Sequence, residues 1–169
     1  MNVDAMSDSP CYIAALRILN HRFNSEAELR RKLRVKQFDK ETIDATMVRL
    51  RNEKWLDDSR FAGAFTRTKA NKSIGKKRIL RELQAAGVDR ETAAEAVAGN
   101  VDPEREAEAL RTLCDRRARM LVRRHGPEYL HTNEGRNKLA AYLLKQGYDA
   151  ALVFAAIKET RVVDHQPDT

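Results

Sequence analysis

The sequence predicts an all-α chain of three tandem three-helix repeats forming an elongated, curved molecule, and three observations carry that prediction. Strand signals are scarce: aromatic residues are 6% of the chain, and no alternating apolar/polar run is bounded by turn residues. Helical spacing of apolar residues recurs throughout. The spacing also repeats. Leu29 and Leu33 precede Gln37-Phe38-Asp39, then Ile43 and Met47. Fifty positions later stand Ile79 and Leu83, Gly87-Val88-Asp89, then Ala93 and Val97. Sixty beyond that come Leu139 and Leu143, Gly147-Tyr148-Asp149, then Val153 and Ile157. A period near fifty, in register three times, marks tandem helical modules.

Each element has a local reason. The first helix runs from about Cys11 to Phe23 and stops before Ser25-Glu26-Ala27-Glu28, a capping-box spacing that opens the second. In every repeat, two apolar residues four apart lay one buried stripe on a helix. Gly87 and Gly147 then supply the left-handed conformation that ends it. Asp39, Asp89 and Asp149 accept backbone N–H bonds at the start of the next helix. Gln37 replaces the glycine in the first copy, so that turn is expected to be strained or built differently. The second repeat opens at Asp57-Asp58 with Phe61 and Phe65 on one face. The third opens at Asp102-Pro103, a cap followed by proline at the first helical position. It continues through Ala107, Leu110, Cys114 and Leu121 and is stopped by Gly126-Pro127. The repeats are placed at 11–56, 57–101 and 102–163, with mobile tails at 1–10 and 164–169.

Composition bounds the function. The chain has 169 residues, with 32 Lys+Arg against 25 Asp+Glu and a net charge of +7. With 7 Gly and 4 Pro it is neither collagen-like nor a Gly/Pro-rich disordered chain. There is no run of about 18 apolar residues to span a membrane. Residues 1–10 have neither a basic start before an apolar stretch nor arginines, so no export signal is expected and the chain is placed in the cytoplasm. Cys11 and Cys114 fit two partly buried free thiols of a reducing compartment. Three-helix units have small cores and must lend each other apolar surface, which favours stacking in a line.

No catalytic constellation, metal site or cofactor site emerges. His21, His125, His131 and His165 have no i, i+4 partner, and no G-x-S-x-G elbow is present. Around Gly75-Lys76, Ala70 and Lys77 stand where a phosphate-binding loop needs glycine and Ser/Thr. The basic residues are the informative feature. From Ser59 to Arg81 there are eight Lys/Arg and no acidic residue. Arg60 and Arg67 share an outward stripe two turns apart. Arg30, Arg31 and Arg34 lie opposite Leu29 and Leu33, and Arg116, Arg119 and Arg123 lie away from Leu110 and Leu121. Lys76, Lys77 and Arg78 occupy the first turn of a helix, where the macrodipole disfavours cations. Such a cluster, with Arg81 beyond it, points to an anionic partner. Competing readings are a solvated surface, with Arg117 and Arg124 snorkelling over the core, and pairing of Glu26 and Glu28 with nearby cations, Glu28 with Lys32 among them. Tyr12, Trp55 and Tyr129 could stack on bases, but a lone aromatic is more often a core residue, and the sequence has no interleaved basic/aromatic platform of the single-strand-binding type.

Leu56-Asp57-Asp58-Ser59-Arg60-Phe61-Ala62 and Gly75-Lys76-Lys77-Arg78-Ile79-Leu80-Arg81-Glu82-Leu83, followed by Gly87-Val88, closely resemble the signature of the RecX regulators of the RecA recombinase. Ser25-Glu26-Ala27-Glu28-Leu29-Arg30-Arg31-Lys32-Leu33 is similar to that family's first repeat. The resemblance covers about residues 12 to 160. Gln37 and Lys54 depart from it where members often carry glycine, and Gln146-Gly147-Tyr148 matches more loosely. The resemblance implies three tandem three-helix repeats, no enzymatic activity, and binding to RecA, especially to its filament on single-stranded DNA, lodged in the helical groove and touching neighbouring subunits. It implies inhibition of strand exchange, ATP hydrolysis and RecA-promoted repressor cleavage. The residues expected to meet RecA or DNA phosphates are Arg60, Arg67, Lys76, Lys77 and Arg81, then Arg30, Arg31 and Arg34, then Arg116, Arg119 and Arg123, in a monomer. The alternative is a stand-alone basic helix-turn-helix-like DNA binder, although Arg90-Glu91-Thr92 followed by alanines is poor for base readout. A plain helical scaffold is the third reading.

Overall fold

The computed structural model describes residues 9–160. Among them are nine α-helices and no strand: α1 (Pro10–His21), α2 (Glu26–Val35), α3 (Lys40–Asn52), α4 (Asp58–Ala70), α5 (Lys76–Ala85), α6 (Arg90–Asn100), α7 (Pro103–His125), α8 (Asn133–Lys145) and α9 (Ala150–Glu159). Pro10, expected in a mobile tail, instead opens α1. The remainder of that tail up to Asp8, and the C-terminal tail with the last residues placed in the third repeat, lie outside the described residues. One further element was not expected from the sequence. Gly126-Pro127 does end α7, but the chain then makes a 3-10 turn over Pro127–His131 before Thr132 caps α8.

The repeated apolar positions are the buried ones. Leu29, Leu33, Ile43, Met47, Ile79, Leu83, Ala93, Val97, Leu139, Leu143 and Val153 are all buried. Ile157 is half-buried, with Ala156 beside it taking the deeper place. The caps also fall as the sequence predicts. Asp39 accepts from the Thr42 N–H at 2.8 Å and Asp89 from Thr92 at 2.9 Å. Asp149 accepts from Ala151, and Asp102 from Glu104 and Arg105, each at 2.9 Å. Gln37 adopts φ 67°, the same left-handed turn as Gly87 (φ 87°) and Gly147 (φ 92°), and Lys54 (φ 60°) and Ser73 (φ 56°) do likewise. The turn in the first copy is therefore strained rather than rebuilt, at a cost of about 1 kcal/mol for a residue with a Cβ.

The described residues pack into two compact units, one of residues up to Thr66 with Leu80–Asn100, the other of Arg67–Ile79 with residues from Val101 onward. The first has its core in Cys11, Leu29, Leu33, Ile43, Met47 and Leu50. The second has its core in Leu110, Cys114, Leu139, Leu143, Tyr148 and Val153. Both cysteines are buried free thiols.

Each unit contains one junction between successive helix triplets, built on the same plan. In the first, the Asp58 carboxylate at the start of α4 accepts the Glu26 N–H at the start of α2 (2.9 Å). There the Ser25 hydroxyl donates to the Ala86 carbonyl in the turn after α5, while its oxygen accepts from the Glu28 N–H (3.1 Å). Only half of the capping box forms, because the Glu28 side chain turns to Arg22 (3.0 Å). In the second, the buried Glu106 carboxylate of α7 accepts the Lys76 N–H at the start of α5 (3.0 Å). Gly75 N–H donates to the Gln146 carbonyl at 2.9 Å, and Lys77 N–H to Gly147 at 3.0 Å, in the turn after α8. In both, a carboxylate from the next triplet caps an N-terminus, where the helix dipole favours negative charge.

Candidate binding surface

In the first unit the predicted cations divide by what surrounds them. Arg30 is held inside: its guanidinium pairs with Glu26 (3.1 Å) and with Asp44, whose carboxyl is thereby held below the usual range. Glu26 also reaches Arg51 at 3.6 Å. The Glu28–Lys32 pair expected from helical spacing does not form. Glu28 goes to Arg22, and the Lys32 ammonium donates to the Asn24 side-chain oxygen at 2.6 Å. Arg31, Arg34, Arg60 and Arg81 are exposed. Arg31 and Arg34 sit on the side of α2 away from Leu29 and Leu33, and neither makes an ion pair among the described residues. Arg60 lies 5.0 Å over the ring of Phe23, itself 49% exposed, a cation–π contact open to solvent.

In the second unit the first-turn lysines have an internal explanation. The Lys76 ammonium stands 3.5 Å from Glu106, and that of Lys77 2.6 Å from Asp149, whose carboxyl is held low chiefly by this contact. Arg78 donates to the Gln146 side chain at 3.0 Å. Cations placed against the macrodipole thus meet carboxylates of the third triplet, a pairing across 30 and 72 residues of sequence that helical spacing could not reveal. Arg67, Arg116, Arg119 and Arg123 are exposed. The last three share one stripe of α7, opposite buried Leu110, Cys114 and Leu121. Arg117 is half-buried with its guanidinium 4.7 Å over the Tyr142 ring, as snorkelling predicts, while Arg124 is exposed.

The aromatics also divide. Tyr12 is buried and donates its hydroxyl to Glu53; Trp55 is 56% exposed; Tyr129 is half-buried and stacks on His125 with ring centres 4.3 Å apart. Among the described residues no group of His, Cys, Asp and Glu is arranged to hold a metal ion, and no helix is long and apolar enough to cross a membrane. Sequence reasoning missed Glu106 as the carboxylate clasp of the second junction. Its signal was faint: an acidic residue in the first turn of α7, as Asp58 is in α4. What the residues can do chemically is attract anions, through arginines on the outer faces of α2, α4, α5 and α7.

Fold and surface define a helical-repeat protein with cationic outer faces. Family models describing the first and second three-helix domains of RecX match residues 11–50 and 57–97. The chain is 32% identical over 145 residues to the regulatory protein RecX of Xanthomonas axonopodis pv. citri, covering 85% of this chain and 83% of that one. It is 31% identical over 145 residues to the regulatory protein RecX of Amycolatopsis mediterranei, covering 84% and 78%. The crystal structure of RecX from Lactobacillus salivarius superposes with a TM-score of 0.72 at 27% identity, over 89% of this chain and 94% of that one. The chain belongs to the RecX family of regulatory proteins.

Proposed function

We propose that this chain is a non-enzymatic inhibitor of the RecA recombinase that acts in the cytoplasm as a monomer. It binds in the groove of the RecA filament on single-stranded DNA and represses strand exchange, ATP hydrolysis and coprotease activity. Its working units are the three repeats, 11–56, 57–101 and 102–163. The observation that carries the reading is the set of exposed arginines that make no ion pair among the described residues: Arg31, Arg34, Arg60, Arg81, Arg116, Arg119 and Arg123. Arg67 joins them at the surface. Arg30, Lys76 and Lys77 contribute through the part of their charge left over from their internal pairs. Acidic protein surface and DNA phosphates both complement such a face.

The test is RecA's ATP hydrolysis on single-stranded DNA with this protein added well below one-to-one. Strong inhibition is expected at that ratio, because competition for bare DNA alone needs far more protein. Neutralising Arg116, Arg119 and Arg123 to Gln is expected to raise the half-inhibitory amount about tenfold while helicity is unchanged. No inhibition until the DNA is saturated would leave a simple basic DNA binder. Reversal of Lys76 and Lys77 is a poorer probe, since it also breaks the second junction.

A further inference from the structure

The C-terminal half of α7 and the facing side of α8 enclose a concavity of about 200 Å³ lined by Arg117, Met120, Leu121, Arg124, His125 and Lys138. Three of the six carry permanent charge. The negative end of α7 asks for about half a unit of positive charge, and Arg123 in the last turn already supplies it. The remaining positive charge favours an anion. Among the described residues Glu134 offers one here: it pairs with Lys138 at 3.3 Å and accepts the Tyr129 hydroxyl at 3.0 Å. Arg124 makes no ion pair among the described residues, and the buried Nε of Arg117 finds no acceptor.

The size and walls narrow the ligand. A 200 Å³ hollow has room for a phosphate group, and its three cations rather than its size disfavour an apolar anchor of a peptide. Beside it stands a short ladder of rings, with Lys138 5.5 Å over Tyr129 and Tyr129 stacked on exposed His125. A cationic hollow next to a ring face matches a phosphate followed by a base.

We infer that this groove seats one backbone phosphate of a single-stranded nucleic acid, with the adjoining base stacked on His125. Arg124 and Lys138 hold the phosphate oxygens, Arg117 adds charge from below, and Glu134 competes for Lys138. The inference rests on the proposed function only for the identity of the strand as DNA.

Anisotropy of a fluorescein-labelled 15-mer of thymidylate, titrated with the full chain over a range of salt, tests it. The double variant R124Q/K138Q is expected to bind about tenfold more weakly and to lower the log–log salt slope by about 0.7, the contribution of one neutralised phosphate on a single strand. E134Q is expected to bind twofold to threefold more tightly, an effect that damage to the fold would not mimic. H125A is expected to lose about fivefold on the thymidylate strand and nothing on an abasic strand of equal length. An unchanged salt slope in the double variant, no wild-type binding at low salt, or equal binding of a glutamate-rich 15-mer would each overturn the site. Loss of equal size on both strands in H125A would overturn the stacking. A chain that inhibits RecA but shows no groove-dependent strand binding loses this site and keeps its function; the reverse result loses the function and keeps the site.

Discussion

The two triplet junctions make the same contact with different parts. Ser25 and Gly75 are fifty positions apart, and the carbonyls they meet, Ala86 and Gln146, are sixty apart. At the first junction a side-chain hydroxyl reaches the carbonyl. At the second a bare backbone N–H does, so the chains approach more closely. A Cβ on Gly75 would run into the Gly147 and Tyr148 backbone, and one on Gly147 into the Arg78 backbone. At the first junction a Cβ on Gly87 would meet the Cβ of Ala27. The second junction is also the more polar, with buried Glu106 bound to both the N–H and the ammonium of Lys76 and with the Tyr148 hydroxyl donating to Ser73 at 3.0 Å. Equivalent positions in a repeat therefore carry unequal tolerance.

The largest expected break is Gly75→Ser. It imports the first junction's residue into a space closed by backbone, and is expected to destabilise by about 3 kcal/mol, at the upper end for overpacking. Ser25→Gly, the reverse exchange, loses a hydrogen bond but keeps a tolerated cap, so about 1 kcal/mol is expected. Urea midpoints of both variants check the inequality; equal losses would erase the distinction. Glu106→Ala comes next at about 2–3 kcal/mol, because it strands a helix N-terminus and a lysine beside the buried site. Its counterpart Asp58→Ala, at a site only half-buried, is expected to cost about 1 kcal/mol. Tyr148→Phe is smaller again, about 1 kcal/mol for the lost bond to Ser73. Burial pushes that phenol up to about 12, so it stays protonated and the bond survives throughout the neutral range.

The smallest effect sharpens the comparison through pH. Asp39, Asp89, Asp149, Asp44 and Glu53 are held below their ordinary values of 3.8 and 4.5, chiefly by hydrogen bonds. The unfolded chain binds their protons more readily, so their contribution is complete above those ordinary values and is lost as pH falls through the lower folded ones. Asp58 has the opposite sign. Desolvation raises it above 3.8, so the folded chain holds its proton longer and stability declines as pH rises through the raised value. Asp58→Asn is therefore expected to steepen the rise of stability just above pH 3.8, measured by urea unfolding across that range. A parallel curve would show that the junction carboxylate does not titrate this way.

What the sequence made legible was local. Stripes such as Leu29 with Leu33, caps such as Asp89, and turns at Gly87 and Gly147 depend on groups within about six residues, and they stand where expected. The left-handed Lys54 and Gln37 were visible only as departures from a glycine pattern. What stayed hidden was the pairing of distant charges. Lys76 and Lys77 looked like cations awaiting a partner because Glu106 and Asp149 belong to another triplet, and Arg30 found Asp44 across fourteen residues. Arg31, Arg34, Arg116, Arg119 and Arg123 could be placed on outer faces from helical geometry alone. The division between spare and spent charge needed the tertiary structure.

The two thiols give the chain a pair of built-in clocks. Cys11 lies at the centre of one unit and Cys114 at the centre of the other, both with no accessible surface. Burial also raises the Cys114 thiol above its ordinary value, which slows attack while that unit is closed. Alkylation of each in the unmodified protein then times how often its own unit opens. A single mass-spectrometric experiment can follow both without introducing a label.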